Sequence, residues 1–225
     1  MTKNQIRPIT RSTLSLVVTE RLRELVVSGT YEPGTQLSEV DLAERFGVSR
    51  GPIREGLQRL VQEGLLRSEP HRGVFIPTMD EEDVRDIYRA REVIECAAVR
   101  MVMSGSSAAS IVASLRQIVT AMDEAHRQER WVRMAELDMR FHLELVRGAG
   151  SERLDRMYGS LIDETRVLLN ITTTYSSHGG LVSGHAEITD ALASGDPERA
   201  EATLHEHLVG SSERIGTKVG ELRGI

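Results

Sequence analysis

From Asp80 to Ile225 no convincing stretch alternates apolar with polar residues; apolar positions recur instead every three to four residues. That spacing draws a stripe along one face of a helix and does not suit a half-buried strand. It predicts helices near 80–103, 107–127, 130–147, 151–174, 180–194 and 197–215, with breaks at Ser104–Gly105, Gly148–Gly150, Ser176–Gly180 and Gly195–Pro197. An amphipathic helix must lay its stripe against another element, so this part of the chain is expected to be an all-α bundle.

The first 78 residues follow another pattern. Residues 13–28 make a short amphipathic helix with Leu16, Leu22, Leu25 and Val26 among its apolar positions, and "SGTYEPGTQL" is a turn-rich connection. "LSEVDLAERFGV" reads as a second helix, with Ser38 as N-cap, Asp41 three residues on and Gly47 as its stop. "SRGPIREGLQRLVQEGLL" is a third: Pro52 suits a first helical position, Gly51 or Ser49 caps it, and Gly64 ends it. "LLRSEPHRGVFIPT" then gives two short strands, around 65–68 and 73–77, joined by a turn at Pro70–Gly73. The fold class is therefore mostly α: a three-helix unit with a two-stranded wing over 1–78, then a helical bundle over 79–225.

A length of 225 residues accommodates two modest domains, and 40% apolar with 28% charged residues describes an ordinary globular chain. One cysteine, Cys96, excludes an internal disulfide framework and fits a reducing cytoplasm. No apolar run approaches the roughly 18 residues that span a bilayer, and Glu20 and Arg21 interrupt the one stretch resembling a signal peptide. A cytoplasmic protein with no membrane partner is expected. The net charge of −6 is uneven: residues 1–78 hold eleven Lys/Arg against nine Asp/Glu, while the remainder holds 17 against 25. The two halves are built for different partners.

Three short helices and a ribbon are the parts of a winged helix-turn-helix, whose last helix enters the DNA major groove N-terminus first. The leading residues here are Ser49, Arg50, Gly51, Ile53 and Arg54. Arg50 and Arg54 lie one turn apart, and a guanidinium fork suits guanine O6/N7 or a phosphate. The ribbon turn carries His71, Arg72 and Gly73 toward the minor groove or the backbone. On an isolated helix such a pair of arginines would be solvated charge; its position at the start of the third helix favours DNA.

The run "PGTQLSEVDLAERFGVSRGPIREGLQRLVQEGLL…HRGVFI" resembles, over about residues 14–77, the N-terminal domain of the GntR family of bacterial transcription regulators. The resemblance implies DNA contacts from Ser49, Arg50, Arg54, His71, Arg72 and Gly73. Val40 stands where many members carry an arginine, and Gly51 where Ser or Thr is usual, which bears on the operator recognised.

The second half places polar residues on buried rows. Asp138 and His142 lie one turn apart on the stripe through Trp131, Met134, Ala135, Phe141 and Leu145. His185 shares a row with Leu181, Ile188 and Leu192, and His207 shares one with Ala200, Leu204 and Leu208; His205 points elsewhere. A buried carboxylate or imidazole is expensive unless bonded, paired or bound to metal. Asp138, His142, His185 and His207 together make a reasonable shell for a divalent ion, zinc first and nickel, manganese or iron as well. The competing reading makes each histidine a satisfied core residue and pairs Asp138 with an arginine. On the first helix of this half, Arg91 occupies the stripe of Val84, Ile87, Tyr88, Ile94, Ala98 and Met101. It either pairs internally with Glu95 or lines a cavity and takes a ligand carboxylate.

"YRAREVIE", "DMRFHLELV", "GHAEITDALASGD" and "HEHL" resemble, over about 80–215, the FCD-type ligand-binding domain of the FadR subfamily of GntR regulators. This implies a bundle holding a divalent metal through Asp138, His142, His185 and His207, with a small organic-acid effector bound beside it near Arg91. The expectation is a homodimeric, metal-containing repressor on a pseudo-palindromic operator, released by a small carboxylate. A metal-dependent hydrolase carrying a DNA-binding domain, and a metal sensor, are the alternatives; the hydrolase lacks an obvious general base, since Glu144 lies off the ligand stripe.

Overall fold

A computed structural model describes residues 12–172 and 180–223. The chain divides into two compact units, one ending at Thr78 and the next beginning at Met79.

The first unit contains α1 (Ser12–Val27), β1 (Gln36–Leu37), α2 (Glu39–Phe46), α3 (Arg50–Gln62), β2 (Arg67–Glu69) and β3 (Gly73–Phe75). Helix α1 packs on α3. Its inward face is Val18, Leu22 and Val26, and Leu16, expected among the apolar contacts, is 46% exposed instead. The close approach depends on Gly56, where a Cβ would stand 2.9 Å from Leu22 Cδ1. Ser38 caps α2 by accepting from the Asp41 backbone N–H at 3.3 Å, and Gly47 ends that helix in the left-handed region at φ 65°. Ser49 occupies the N-cap of α3 without a side-chain capping bond, and Pro52 falls in the first turn as its third residue.

The wing is a three-stranded antiparallel sheet in the order β1-β3-β2, with Gln36 opposite Phe75, Leu37 opposite Val74 and Ser68 opposite Val74. The sequence reading supplied two of these strands. The third, β1, is too short to show an alternating pattern and lies inside the segment read as a turn-rich connection.

The second unit is helical throughout its described residues: α4 (Glu81–Ser104), α5 (Ala108–Arg127), α6 (Trp131–Gly148), α7 (Glu152–Thr172), α8 (Gly180–Ala193) and α9 (Pro197–Arg223). A reciprocal capping box between Asp80 and Asp83 starts α4. Helix α4 lies along α9 and also meets α6 and α7, while α5 packs against α6 and α8. Val84, Ala98, Val99, Leu115, Met122, Phe141, Leu145, Leu168, Ile188 and Leu204 fill the core. The expected end of α7 at 174 and the break at Ser176–Gly180 fall, up to Gly180, outside the described residues.

The α4 stripe does not reach Met101, which is 42% exposed; it runs through Glu95, Cys96, Ala98, Val99 and Val102. Helix α9 continues to Arg223 rather than stopping at 215, because Ile215 and Val219 keep its apolar row inside. Gly220, inside this extension, lies against the Glu81 carboxylate. No described helix is long and apolar enough to cross a membrane.

Candidate functional site

In the first unit Arg50 opens α3 and Arg54 follows one turn later, both with more than half of their side-chain surface exposed. Ile53 does not join them: it is fully buried and belongs to the core. Both guanidiniums converge on Glu39 at the start of α2. Arg54 donates from Nε at 2.9 Å and Nη2 at 2.8 Å to the two Glu39 oxygens, and Arg50 Nη2 donates at 3.2 Å. The Arg54 hydrogen bonds hold the Glu39 carboxyl below its usual value. Sequence reasoning missed Glu39, because a glutamate in a first turn already has an ordinary role beside the helix dipole.

At the wing tip His71 is exposed with a left-handed φ of 63°, and Gly73 follows at φ 107°. A second carboxylate repeats the α3 arrangement: Glu69 accepts from Arg67 Nη2 at 2.6 Å and from Arg72 Nη1 at 2.5 Å. Ser49, Gly51 and Val40 are exposed, and the space where a Gly51 Cβ would stand is open.

In the second unit the polar residues of the buried rows meet. Helix α6 supplies Asp138 and His142, α8 supplies His185, and α9 supplies His207. Ring nitrogens of the three histidines lie within 4.8 Å of one another; Asp138 lies beside His142 and His185 but is not part of that mutually close group. Asp138 Oδ1 is 2.7 Å from His185 Nε2 and 3.7 Å from His142 Nε2. His142 and His185 are buried and His207 is partly exposed. Gly184 makes room for His207: a Cβ there would stand 2.9 Å from its Nδ1. His205, two residues earlier, is exposed and pairs with Glu92 at 2.8 Å.

The hydrogen positions in this cluster follow from the partners. His142 Nδ1 lies 2.6 Å from Glu95 Oε2, and His185 Nδ1 lies 2.7 Å from the Leu181 carbonyl. Carboxylates and carbonyls only accept, so both Nδ1 atoms carry the hydrogen. In a neutral imidazole that leaves each Nε2 bare. These two Nε2 atoms are 3.3 Å apart, with Asp138 Oδ1 beside them. Three lone-pair donors converge, which is repulsive unless a cation, or a proton on one ring, lies among them. The 3.3 Å separation is close to the edge of about 3.3–3.4 Å expected for two nitrogens on a tetrahedral zinc, whereas the 2.7 Å contact of Asp138 with His185 is of hydrogen-bond length. Burial keeps His142 below its ordinary pKa despite the neighbouring Glu95 carboxylate. His207 is driven well below, first by burial and then by the other two imidazoles. Neutral rings are the ligating form.

Glu95 and Arg91 form the next layer, both essentially fully buried. Glu95 Oε1 accepts from Arg91 Nε at 2.9 Å and from the Tyr158 hydroxyl at 2.5 Å, while Oε2 faces His142. Burial pushes the Glu95 carboxyl up, but His142, the Arg91 guanidinium and the hydrogen bonds from His142 and Tyr158 outweigh it and bring it to about 2. Arg91 also stacks 4.8 Å over the Tyr88 ring, and its Nη2 is buried with no hydrogen-bond partner among the described residues. Arg91 pairs with Glu95 and also lines a cavity of about 150 Å³ together with Asp138, His142, His207, Ser211 and Arg214. Nothing in the sequence pattern singles out Tyr158 or Arg214. Tyr158 reads as an ordinary core aromatic on a helix with no other polar anomaly.

An exposed arginine pair leading the third helix beside a wing, followed by a separate helical domain, defines a DNA-binding transcription regulator. Residues 14–76 match the family described as bacterial regulatory proteins, gntR family, and residues 86–210 match the FCD domain. The chain belongs to the GntR family and carries an FCD domain C-terminal to its DNA-binding domain. It is 30% identical over 186 residues to the Nta operon transcriptional regulator of Aminobacter aminovorans, covering 82% of this chain and 86% of that one. It is 29% identical to the HTH-type transcriptional repressor RspR of Escherichia coli strain K12, covering 86% and 85%. Among solved structures it resembles a transcriptional regulator GntR from Rhodococcus sp. RHA1, with 32% identity, a TM-score of 0.78, and coverage of 89% of this chain and 96% of that one.

Proposed function

We propose that the chain is a ligand-responsive repressor of the FadR subfamily, which binds a pseudo-palindromic operator as a homodimer and leaves it when a small organic acid occupies the cavity beside a bound zinc ion. The convergence of bare His142 Nε2, His185 Nε2 and Asp138 Oδ1 carries this reading, because a divalent cation turns that repulsion into ligation. His207 completes the set from α9. When bound, the ion supplies a fixed double positive charge and an open position for an anionic oxygen.

The chain's own residues do the rest. Arg91, with its unpartnered Nη2, is the donor that a carboxylate in the cavity would satisfy, and Arg214 and Ser211 line the same space. Arg50 and Arg54 present their forks to base edges, and His71, Arg72 and Gly73 bring the wing to the neighbouring groove or backbone. Two-fold symmetry of the operator mirrors two-fold symmetry of the protein. The acid acts only through its difference in affinity between the two DNA-binding states, and a full population reversal takes about 5.5 kcal/mol. The segment near Thr78 is the covalent connection that carries the change to the readers.

The test is operator binding by the full chain, followed by fluorescence anisotropy with and without saturating zinc, across a panel of small mono-, di- and tricarboxylates. Native mass spectrometry of the same sample reports subunit count and ion mass. Release of DNA by one acid, in the zinc-loaded dimer alone, is the expected result. Release on zinc addition without any acid would make the ion itself the signal. Turnover of an acid or ester would return the chain to the hydrolase alternative.

A further inference from the structure

Glu95 does two things with one carboxylate. Oxygen Oε2 takes the Nδ1 hydrogen of His142 from α6, and Oε1 takes hydrogens from Arg91 Nε on α4 and from Tyr158 on α7. The group is fully buried, so no water competes for these bonds. Fixing the hydrogen on Nδ1 leaves Nε2 as the bare nitrogen, and Nε2 is the atom that faces His185 and Asp138. Holding Arg91 through Nε leaves Nη2 as its unpartnered nitrogen, on a side chain that lines the cavity. The ligand set and the acid-binding arginine are thus oriented by opposite oxygens of the same group.

We infer that Glu95 is a positioning residue that fixes which His142 nitrogen is free to ligate the ion and holds the Arg91 guanidinium beside it, a reading that rests on the metal and effector assignments above. It touches neither ligand. Partners of this kind usually change metal affinity by about 10–100-fold when replaced.

Glu95→Gln separates this role from packing, because the amide keeps the size and shape of the carboxylate. If its oxygen faces Arg91 and Tyr158, both donors stay satisfied and its NH2 faces His142 Nδ1. That nitrogen must then accept, which moves the ring hydrogen to Nε2 and removes a ligand. The flipped amide would oppose NH2 to two donors and is disfavoured.

The experiment has two readouts on the full chain. The first is the His142 tautomer in the metal-free wild type, read by long-range proton–nitrogen NMR; Nδ1–H with a bare Nε2 is expected, and the reverse tautomer overturns the inference even if the variant does not fold. The second is zinc competition against a chromophoric chelator. Glu95→Gln should weaken zinc binding by about 10–100-fold and shift His142 to Nε2–H, with Glu95→Asp recovering part of the affinity. Zinc affinity and tautomer both unchanged in Glu95→Gln overturn the inference while the metal reading survives. A wild-type chain that takes up no zinc overturns both.

Discussion

Replacing Arg91 with Met removes the guanidinium while keeping a long side chain in its channel. Two effects oppose each other in the metal-loaded, acid-free protein. Glu95 loses the Nε donor at 2.9 Å and its nearest countercharge, and breaking a buried pair from one side typically costs about 3–5 kcal/mol. Against this, the wild type carries a buried Nη2 with no partner, a penalty of about 1–3 kcal/mol that the methionine relieves. The central difference is a net destabilisation of about 2 kcal/mol, which for a domain of this size lowers Tm by about 4–8 °C. Acid binding should suffer more. A carboxylate hydrogen-bonded to the charged Nη2 contributes about 1.5–3 kcal/mol, so the variant should bind the effective acid about 10- to 150-fold more weakly. Differential scanning calorimetry with and without acid, paired with titration calorimetry on the zinc-loaded chain, measures both quantities. A variant that melts with the wild type and answers the same acids with the same affinity would refute the argument that the unpartnered nitrogen is kept for a ligand.

Arg54→Ala should weaken operator binding roughly 5- to 150-fold at fixed salt while leaving binding to a scrambled duplex nearly unchanged; equal losses on both would make Arg54 a phosphate contact. His185→Ala should lower zinc stoichiometry and thermal stability together, and an unchanged zinc content by mass spectrometry would remove His185 from the ligand set. Gly184→Ala, whose new Cβ would press on His207 Nδ1 from 2.9 Å, should displace that ring and weaken zinc binding with every ligand residue retained, as read by chelator competition against the wild type.

How much of this was legible in the sequence depended on the distance over which the information acts. The helix starts and stops at Ser38, Gly47 and Asp80 are local, and they were readable because capping is decided within four residues. The rows holding Asp138, His142, His185 and His207 were readable because 3.6-residue periodicity shows which side chains turn inward. What each inward polar group meets is set by other helices. Glu95 lies 47 residues from His142 and 63 from Tyr158, so its neighbour Arg91, one turn away, was the one partner that spacing could suggest. The ends of α1 and α4 show the limit of periodicity itself: Leu16 and Met101 continue a stripe in sequence after the partner surface has ended.

The repeated pairing of two arginines with one glutamate, Arg50 and Arg54 on Glu39 and Arg67 and Arg72 on Glu69, alters how the protein meets a polyanion. Each patch presents a single unit of net positive charge, so the counterion release that drives indiscriminate adhesion to any duplex is muted. Each guanidinium must exchange a carboxylate it already holds for something better. An arbitrary stretch of chromosome offers little inducement, and the search for an address is correspondingly less sticky.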